Sequence, residues 1–373
     1  MSIKITLIDE IEQNKENLKA VWGEFPPEAI PAGLSLDHLF DWWERYGRIE
    51  NHRIGYKKRP IILIIHRGEK LVGILPLMKV ERFKNRVLRV ATLEFLTQSF
   101  GGDYLDMIHN GMAIEEIART FKLIKKQFKY DLIHLCYLKE NSLLLQAGLG
   151  AVGLHSGKII IPLDRSYKQI RNEVYSKNLR HVLNKFRRRI SESSEKIQSL
   201  VIEGGENILK IKDNIKKVSL SKLADLGMHS LYQDTKIGES YFNAIVSQEK
   251  PFCSVYLAGD ELLSYNIGNV QNGVVCAFDA AYNRCYAESQ KIGLGILAYD
   301  SLVEKYAEKY RELDMGFGLD DYKFRFSKQV IFTHSLLVKG NTFKAGILFK
   351  HRSEKQKQIA QTIRLKTEGR TND

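Results

Sequence analysis

The chain has 373 residues, 44% hydrophobic and 10% aromatic, and a formal net charge of +13 at pH 7. That length exceeds one ordinary core and suits two domains, and the composition excludes a disordered chain. No apolar run reaches membrane-span length, and the four cysteines form no C-x-x-C pair, so neither a metal centre nor a disulfide framework is expected.

The charge is compatible with nucleic acid, anionic lipid headgroups or a polyphosphorylated small molecule. The N-terminal stretch "MSIKITLIDEIEQNKENLKA" carries no signal-peptide core. Three of the cysteines (Cys136, Cys253, Cys276, Cys285) sit in apolar strand-like runs, which fits reduced thiols in the cytoplasm.

Along the chain, "RPIILIIHRGEKLVGILPL" from Arg59 reads as a strand, a tight glycine turn and an antiparallel partner strand. A loop at His109–Met112 follows, with Glu115 and Glu116 in the first turn of a helix. That helix ends at Lys129-Tyr130 and feeds an apolar strand. The segment 169–190 reads as an amphipathic helix, with Leu179, Val182, Leu183, Phe186 and Ile190 on one face. Seven Lys or Arg residues and one acid, Glu173, fall between Arg171 and Arg189. They form either a solvated face or an anion-facing wall suited to bidentate contact with phosphate oxygens.

A second copy of the plan then begins. "KPFCSVYLAGDELLSYNIG" from Lys250 repeats the hairpin, with the glycine again eight residues after the proline. Its helix likewise ends in Lys309-Tyr310 before a strand. The copies are separated by 191 residues at the hairpin and 180 at Lys-Tyr, which indicates duplication. Between these elements, the strand-like "GVVCAFDAAYN" (273–283) precedes "QKIGLG" (290–295) and a helix. A strand, a glycine loop and a helix N-terminus suit a pyrophosphate, because unpaired N–H groups point outward and the helix dipole favours an anion. The glycines match neither G-x-G-x-x-G nor a P-loop, but they fit Q/R-x-x-G-x-G/A through Gln290, Gly293 and Gly295. A strand at "RELDMGFG", a helix candidate at "LDDYKFRFSK" and a polar tail after Arg352 complete the chain.

The span from about Leu18 to Lys350 resembles the tandem-GNAT proteins related to the CelD acetyltransferases of bacterial polysaccharide biosynthesis. It is more distantly similar to the Fem peptidyltransferases. The resembling pieces are "GILPL" (73–77), "GGDYLDMI" (101–108), "SKNLRHVLNKFRRRI" (176–190), "FDAAY" (278–282) and "LDMGFGLDDYKFRF" (313–326). The last carries an Asp-x-Gly-x-Gly element and a Tyr-Lys pair in Asp314, Gly316, Gly318, Tyr322 and Lys323. The family often has Ser-Pro-Gly before the CoA helix, where this chain has Ser289-Gln290-Lys291-Ile292-Gly293. The resemblance implies an α+β fold of two tandem GNAT-like domains, each a mixed, mostly antiparallel sheet flanked by helices. The domains are expected at 1–165 and 166–350, with a polar tail at 351–373, and only the second has a CoA loop.

The activity implied is acyl transfer from acetyl-CoA or another acyl-CoA to an amine on a cell-envelope or polysaccharide precursor, without a metal. A Fem-like reading would take the acyl group from aminoacyl-tRNA, and a non-catalytic protein that keeps the fold is a third reading. The expected location is the cytoplasm, with peripheral contact to an anionic inner-membrane face. The cofactor loop is Gln290, Lys291, Ile292, Gly293, Leu294 and Gly295. Tyr322 is the candidate acid for the CoA sulfur, or a tyrosine packed at a domain edge. Asp279 and Asp314 are candidate bases because each carboxylate interrupts an apolar run. Asp314 has a second role open to it, holding the glycine loop by hydrogen bonding. His229 is a further candidate, or a structural histidine. Lys323, Arg180, Arg187, Asp103 and Tyr104 are candidates for the acceptor, with Lys323 open also to a CoA phosphate or to a plain surface position. No Ser-His-Asp order or metal-ligand cluster emerges, which favours direct transfer over a covalent acyl-enzyme.

Overall fold

The computed structural model describes residues 2–26, 29–31, 34–50, 55–84, 88–99, 104–225, 231–233 and 235–368. The chain forms two compact units, one of Met1–Ser156 with Phe332–Leu365, the other of Gly157–Ile331 with Lys366–Asp373. Residues 332–350, placed with the second domain in the sequence, therefore belong to the first unit. The polar tail continues a 24-residue helix, Ala345–Glu368, that buries Leu348, Gln356 and Ile363.

In the first unit, β1 (Ile3–Ile8), β2 (Lys57–Arg67), β3 (Lys70–Lys84) and β4 (Leu88–Phe95) pair antiparallel in turn. Ile61–Ile65 of β2 is buried throughout, which is why it reads as a continuous apolar run. The short β5 (Ile108–His109) pairs with β3 and leads into the helix Ile114–Gln127. β6 (Leu132–Leu138) then lies parallel to β4, but only through Thr92 opposite Leu132 and Leu93 opposite Ile133. Leu132, Leu337 and Leu348 pack together, fixing the last strand and last helix in this unit.

In the second unit, residues 157–162 of β7 (Ala151–Pro162) begin the sheet. The helix Lys177–Ser191, here the basic helix, starts at Ser176, whose Oγ accepts from the Leu179 N–H at 3.2 Å. The sequence extended this helix back to 169; a separate turn at Tyr167–Val174 occupies that stretch. The strands that follow are β8 (Ile197–Glu203), β9 (Pro251–Ala258), β10 (Glu261–Gln271), β11 (Val274–Tyr282) and β12 (Glu312–Phe317). Their spatial order is β7-β12-β11-β10-β9-β8, antiparallel except for the β11–β12 pair. The hairpin read from Lys250 is β9–β10, turning at Gly259 with φ +56°.

Alternation along β9 sorts the two faces. Cys253 and Val255 join Tyr265, Ile267 and Ala281 in a core under the helices Lys212–Asp225 and Thr235–Val246. Ser254 faces the other way and donates to Ala298 O at 3.3 Å on the helix Leu294–Tyr306, here the loop helix.

The units repeat one another in detail. Each has one parallel strand pair that parts after two or three residues, and each then bulges against its antiparallel neighbour. Leu135 and Leu138 of β6 oppose Leu336 and His334 of β13 (Val330–Lys339); Asp314 and Phe317 of β12 oppose Ile160 and Lys158. With Lys129 aligned on Lys309, the two bulges fall within a residue of each other.

Candidate functional site

The candidate site lies in the second unit, where β11 and β12 part. Their pairing covers Val274–Glu312, Val275–Leu313 and Cys276–Asp314. β11 then carries an extra residue, Phe278, because Ile267 of β10 opposes Asp279 while Gly268 opposes Ala277. β12 turns at Gly316 and Gly318, with φ +74° and +99°. A Cβ on Gly316 would lie 2.6 Å from Ala277 O, so only glycine fits there. The carboxyl ends of neighbouring parallel strands are where ligands enter open α/β sheets.

The glycine loop follows β11. Asn283 caps a short helix, Arg284–Ser289, by accepting the Tyr286 N–H at 3.0 Å. That helix closes with Lys291 in the left-handed region (φ +53°), the Lys291 N–H on Glu288 O at 3.2 Å and the Ile292 N–H on Ala287 O at 2.9 Å. This is a Schellman closure, with Lys291 in the position usually held by glycine. Gly293 starts the loop helix, and the first intrahelical bond runs from the Leu297 N–H to Gly293 O at 3.0 Å. The N–H groups of Leu294, Gly295 and Ile296 precede that bond and have no acceptor within the helix.

The two glycines differ. A Cβ on Gly293 would meet the Phe186 ring of the basic helix at 2.5 Å. One on Gly295 would sit 3.4 Å from the Tyr282 ring, an ordinary contact. Packing inside the unit therefore demands glycine at 293 and leaves 295 unexplained. Arg189 Nη1 donates to Lys291 O, so the basic helix holds the loop from one side.

The loop's neighbour is Tyr322. Its ring lies 6.1 Å from that of Tyr299 on the loop helix, and the Tyr299 hydroxyl donates to Met315 O at 3.1 Å. Burial pushes the Tyr322 phenol up to about 12, so it stays protonated at neutral pH. The segment around Tyr322 is a single 3-10 turn, Lys323–Arg325, where the sequence pattern predicted a helix.

Asp314 is 1% exposed; its Oδ2 lies 2.7 Å from Lys158 Nζ and its Oδ1 accepts the Gly316 N–H at 2.8 Å. Lys158 is itself fully buried, with its ammonium 4.2 Å from the Phe317 ring centroid. Lys323, 3% exposed, donates from Nζ to Gly316 O at 3.1 Å and Phe317 O at 2.9 Å. Burial lowers its pKa. Asp314 and Lys323 both hold the turn after β12, one at the Gly316 N–H and the other at the Gly316 and Phe317 carbonyls.

The other candidates are dispersed. Asp279 Oδ2 accepts from the Tyr265 hydroxyl at 2.7 Å, on the face of the sheet away from the loop helix. Arg187 is held by Asp300 and Glu304, both at 2.8 Å, and by the Tyr167 hydroxyl at 2.7 Å. Burial raises the pKa of Asp300, a shift that Arg187 opposes. Arg180 Nη1 donates to Asn172 O at 2.7 Å. Tyr104 belongs to the first unit, half-buried, with the Lys139 ammonium 5.2 Å from its ring. His229 and Asp103 lie outside the described residues. Lys158, Phe186 and Tyr299 were missed in the sequence. Lys158 alone left a trace, as a lysine opening the apolar run "KIIIP".

No family model and no curated protein matches this chain. Among solved structures, a conserved protein of unknown function from Bacteroides thetaiotaomicron matches at a TM-score of 0.53 and 9% identity, covering 90% of this chain and all of that one. A tandem GNAT protein from the clavulanic acid biosynthesis pathway matches at 0.51 and 9% identity, covering 91% of this chain and 100% of that one. The C-terminal domain of a putative lysylphosphatidylglycerol synthetase from Agrobacterium fabrum matches at 0.50 and 10% identity, covering 84% and 94%. These likenesses are of fold alone, and none singles out the CelD branch. With the repeated, parting strand pairs, they establish that the chain has a tandem GNAT fold.

Proposed function

We propose that the protein is an acyltransferase that binds acyl-CoA at Gln290–Gly295 and passes the acyl group to an amine on a cell-envelope or polysaccharide precursor. The observation that carries this reading is Gly295. It sits in the first turn of a helix whose leading N–H groups have no internal acceptor, and nothing inside the unit requires it to lack a side chain. A pyrophosphate approaching those N–H groups does require it.

Acyl-CoA would supply a thioester whose thiolate must be protonated as it leaves. The chain's residues then take separable roles. The backbone of Leu294–Ile296 holds the pyrophosphate. Tyr322, protonated at neutral pH, is the proton donor. Asp279, on the other face of the parted strands, is the candidate base for the acceptor amine. Asp314, Lys158 and Lys323 position the turn that carries Tyr322. The tandem GNAT neighbour of the clavulanic acid pathway supports acyl transfer by its fold, and the charge of +13 supports an anionic partner.

A thermal-shift titration tests the cofactor. At a hundredfold excess over Kd, acetyl-CoA stabilises the fold by about 2.7 kcal/mol, giving a clear rise in Tm. No shift with acetyl-CoA, longer acyl-CoAs or free CoA removes the assignment. The aminoacyl-tRNA reading is separated by salt: tRNA binding would fall steeply with ionic strength and be lost on nuclease treatment, whereas CoA binding would survive both. Among the described residues no helix is long and apolar enough to cross a membrane. We place the protein in the cytoplasm, with the basic helix available to an anionic membrane face.

A further inference from the structure

A pocket of about 300 Å³ opens between the turn Tyr167–Val174 and the basic helix, lined by Tyr167, Lys168, Arg171, Asn172, Arg180 and Asn184. Two serine caps build it. Ser166 Oγ accepts the Gln169 N–H at 3.4 Å and Ser176 Oγ accepts the Leu179 N–H at 3.2 Å, so the chain doubles back and sets Arg171 beside Asn184 in the middle of the basic helix. The walls are held in place: Arg171 Nη2 donates to Asn184 Oδ1 at 2.8 Å and Arg180 Nη1 to Asn172 O at 2.7 Å. The Arg171 guanidinium also lies 5.7 Å from the Tyr167 ring.

Among the described residues, three cations line this pocket and no carboxylate does. The acids nearby are already engaged. Glu173 pairs with Arg165 at 3.2 Å, and Asp300 is held by Arg187 at 2.8 Å and by the Tyr167 hydroxyl at 3.0 Å. Arg171 Nε is buried and has no hydrogen-bond partner. A guanidinium donor left unmade is costly, so the Arg171 fork is not saturated by the protein and has capacity for an added acceptor.

The pocket is distinct from the glycine loop. At 100° per residue, Arg180, Asn184 and Arg187 form one stripe of the basic helix, whereas the residues touching the loop, Phe186 and Arg189, lie about 120° and 180° from Arg180. One helix therefore presents the pocket residues Arg180 and Asn184 on one side and the loop-holding contacts on another, while Arg187 is taken up by Asp300 and Glu304.

We propose that this pocket binds a phosphate group of the acceptor, so that the molecule acylated is a phosphorylated one. The anion site stands on the pocket's own geometry; its assignment to the acceptor rests on the acyl-transfer reading above. Two arginine forks and a lysine suit a doubly charged, three-oxygen group better than a carboxylate.

The test is a titration of the full chain with inorganic phosphate at constant ionic strength, followed by phosphorus NMR and calorimetry. The expected result is one saturable phosphate per chain, kept in Gly295→Val. It should weaken at least tenfold in Arg171→Gln and in Arg180→Gln, and recover in part in Arg180→Lys. Acetate should bind at least tenfold more weakly than phosphate. Acetyl-CoA affinity should stay within twofold in each arginine variant, with circular dichroism confirming the fold. Absence of saturable phosphate binding by folded wild-type protein overturns the site, as does phosphate binding lost in Gly295→Val and kept in the arginine variants. Equal affinity for acetate overturns the phosphate class. If the arginine variants weaken CoA but not dephospho-CoA, the pocket holds the phosphate of CoA and the acceptor assignment falls. Phosphate binding in a protein that fails to bind any acyl-CoA would leave this pocket standing and remove the acyl-transfer reading.

Discussion

A Cβ built on Gly293 would lie 2.5 Å from the Phe186 ring, whereas one on Gly295 would keep 3.4 Å from Tyr282. The two substitutions should therefore fail in opposite ways. Gly293→Ala forces the basic helix aside and should cost about 1–3 kcal/mol in urea denaturation. Gly295→Val should fold within about 1 kcal/mol of wild type and lose acetyl-CoA affinity at least tenfold, roughly 1.4 kcal/mol. Normal CoA binding by folded Gly295→Val would make that glycine structural as well. Tyr322 is argued on the same footing. Tyr322→Phe keeps the ring and removes the proton, so kcat should fall with CoA affinity unchanged. Because burial holds the phenol near 12, wild-type kcat should show no alkaline loss from this group up to about pH 10, where an ordinary tyrosine would be half ionised. An unchanged kcat in Tyr322→Phe, with chemistry rate-limiting, would take it out of the mechanism.

At the scale of elements, the turn after β12 depends on a buried ion pair between residues 156 positions apart, Lys158 and Asp314. Removing one partner of such a pair leaves a charge uncompensated. Lys158→Met should cost about 3–5 kcal/mol, and adding Asp314→Asn should recover much of it, since the amide oxygen can still accept the Gly316 N–H. A double variant no more stable than Lys158→Met would show that the pair is not coupled. The same turn shows where the sequence was legible. The hairpins at Arg59 and Lys250 and the helices before the two Lys-Tyr pairs were visible because their patterns are local, although the helices close at Gln127 and Tyr306, short of those pairs. Asp314 stood out as a carboxylate in an apolar run, and its bond to the Gly316 N–H was one of two roles left open. Its partner Lys158 was not visible, because pairing across the sheet has no local signature. Lys323, read as either a ligand contact or a surface lysine, turns inward to the carbonyls of Gly316 and Phe317. Nor did the sequence show that residues 332–339 join the first unit, because strand pairing and not chain order decides it.

For the whole molecule, the repeated fold raises the question of how many cofactor sites there are. Both units have a parallel strand pair that parts and a helix that follows. In the first unit an acidic side chain already stands at the helix start. Glu116 Oε2 accepts the Ala113 N–H at 2.9 Å, and Arg67 holds both Glu116 oxygens at 2.6 Å. A carboxylate there suits the helix dipole and repels a pyrophosphate. In the second unit the loop helix begins with no acidic residue in its first turn and with Gly295 open. The central claim is therefore one acyl-CoA per chain, held at the second loop. Titration calorimetry of the full chain with acetyl-CoA tests it most directly, with Gly295→Val run in parallel. The account predicts a stoichiometry of one that is lost in the variant; two equivalent sites, or one site untouched by Gly295→Val, would contradict it.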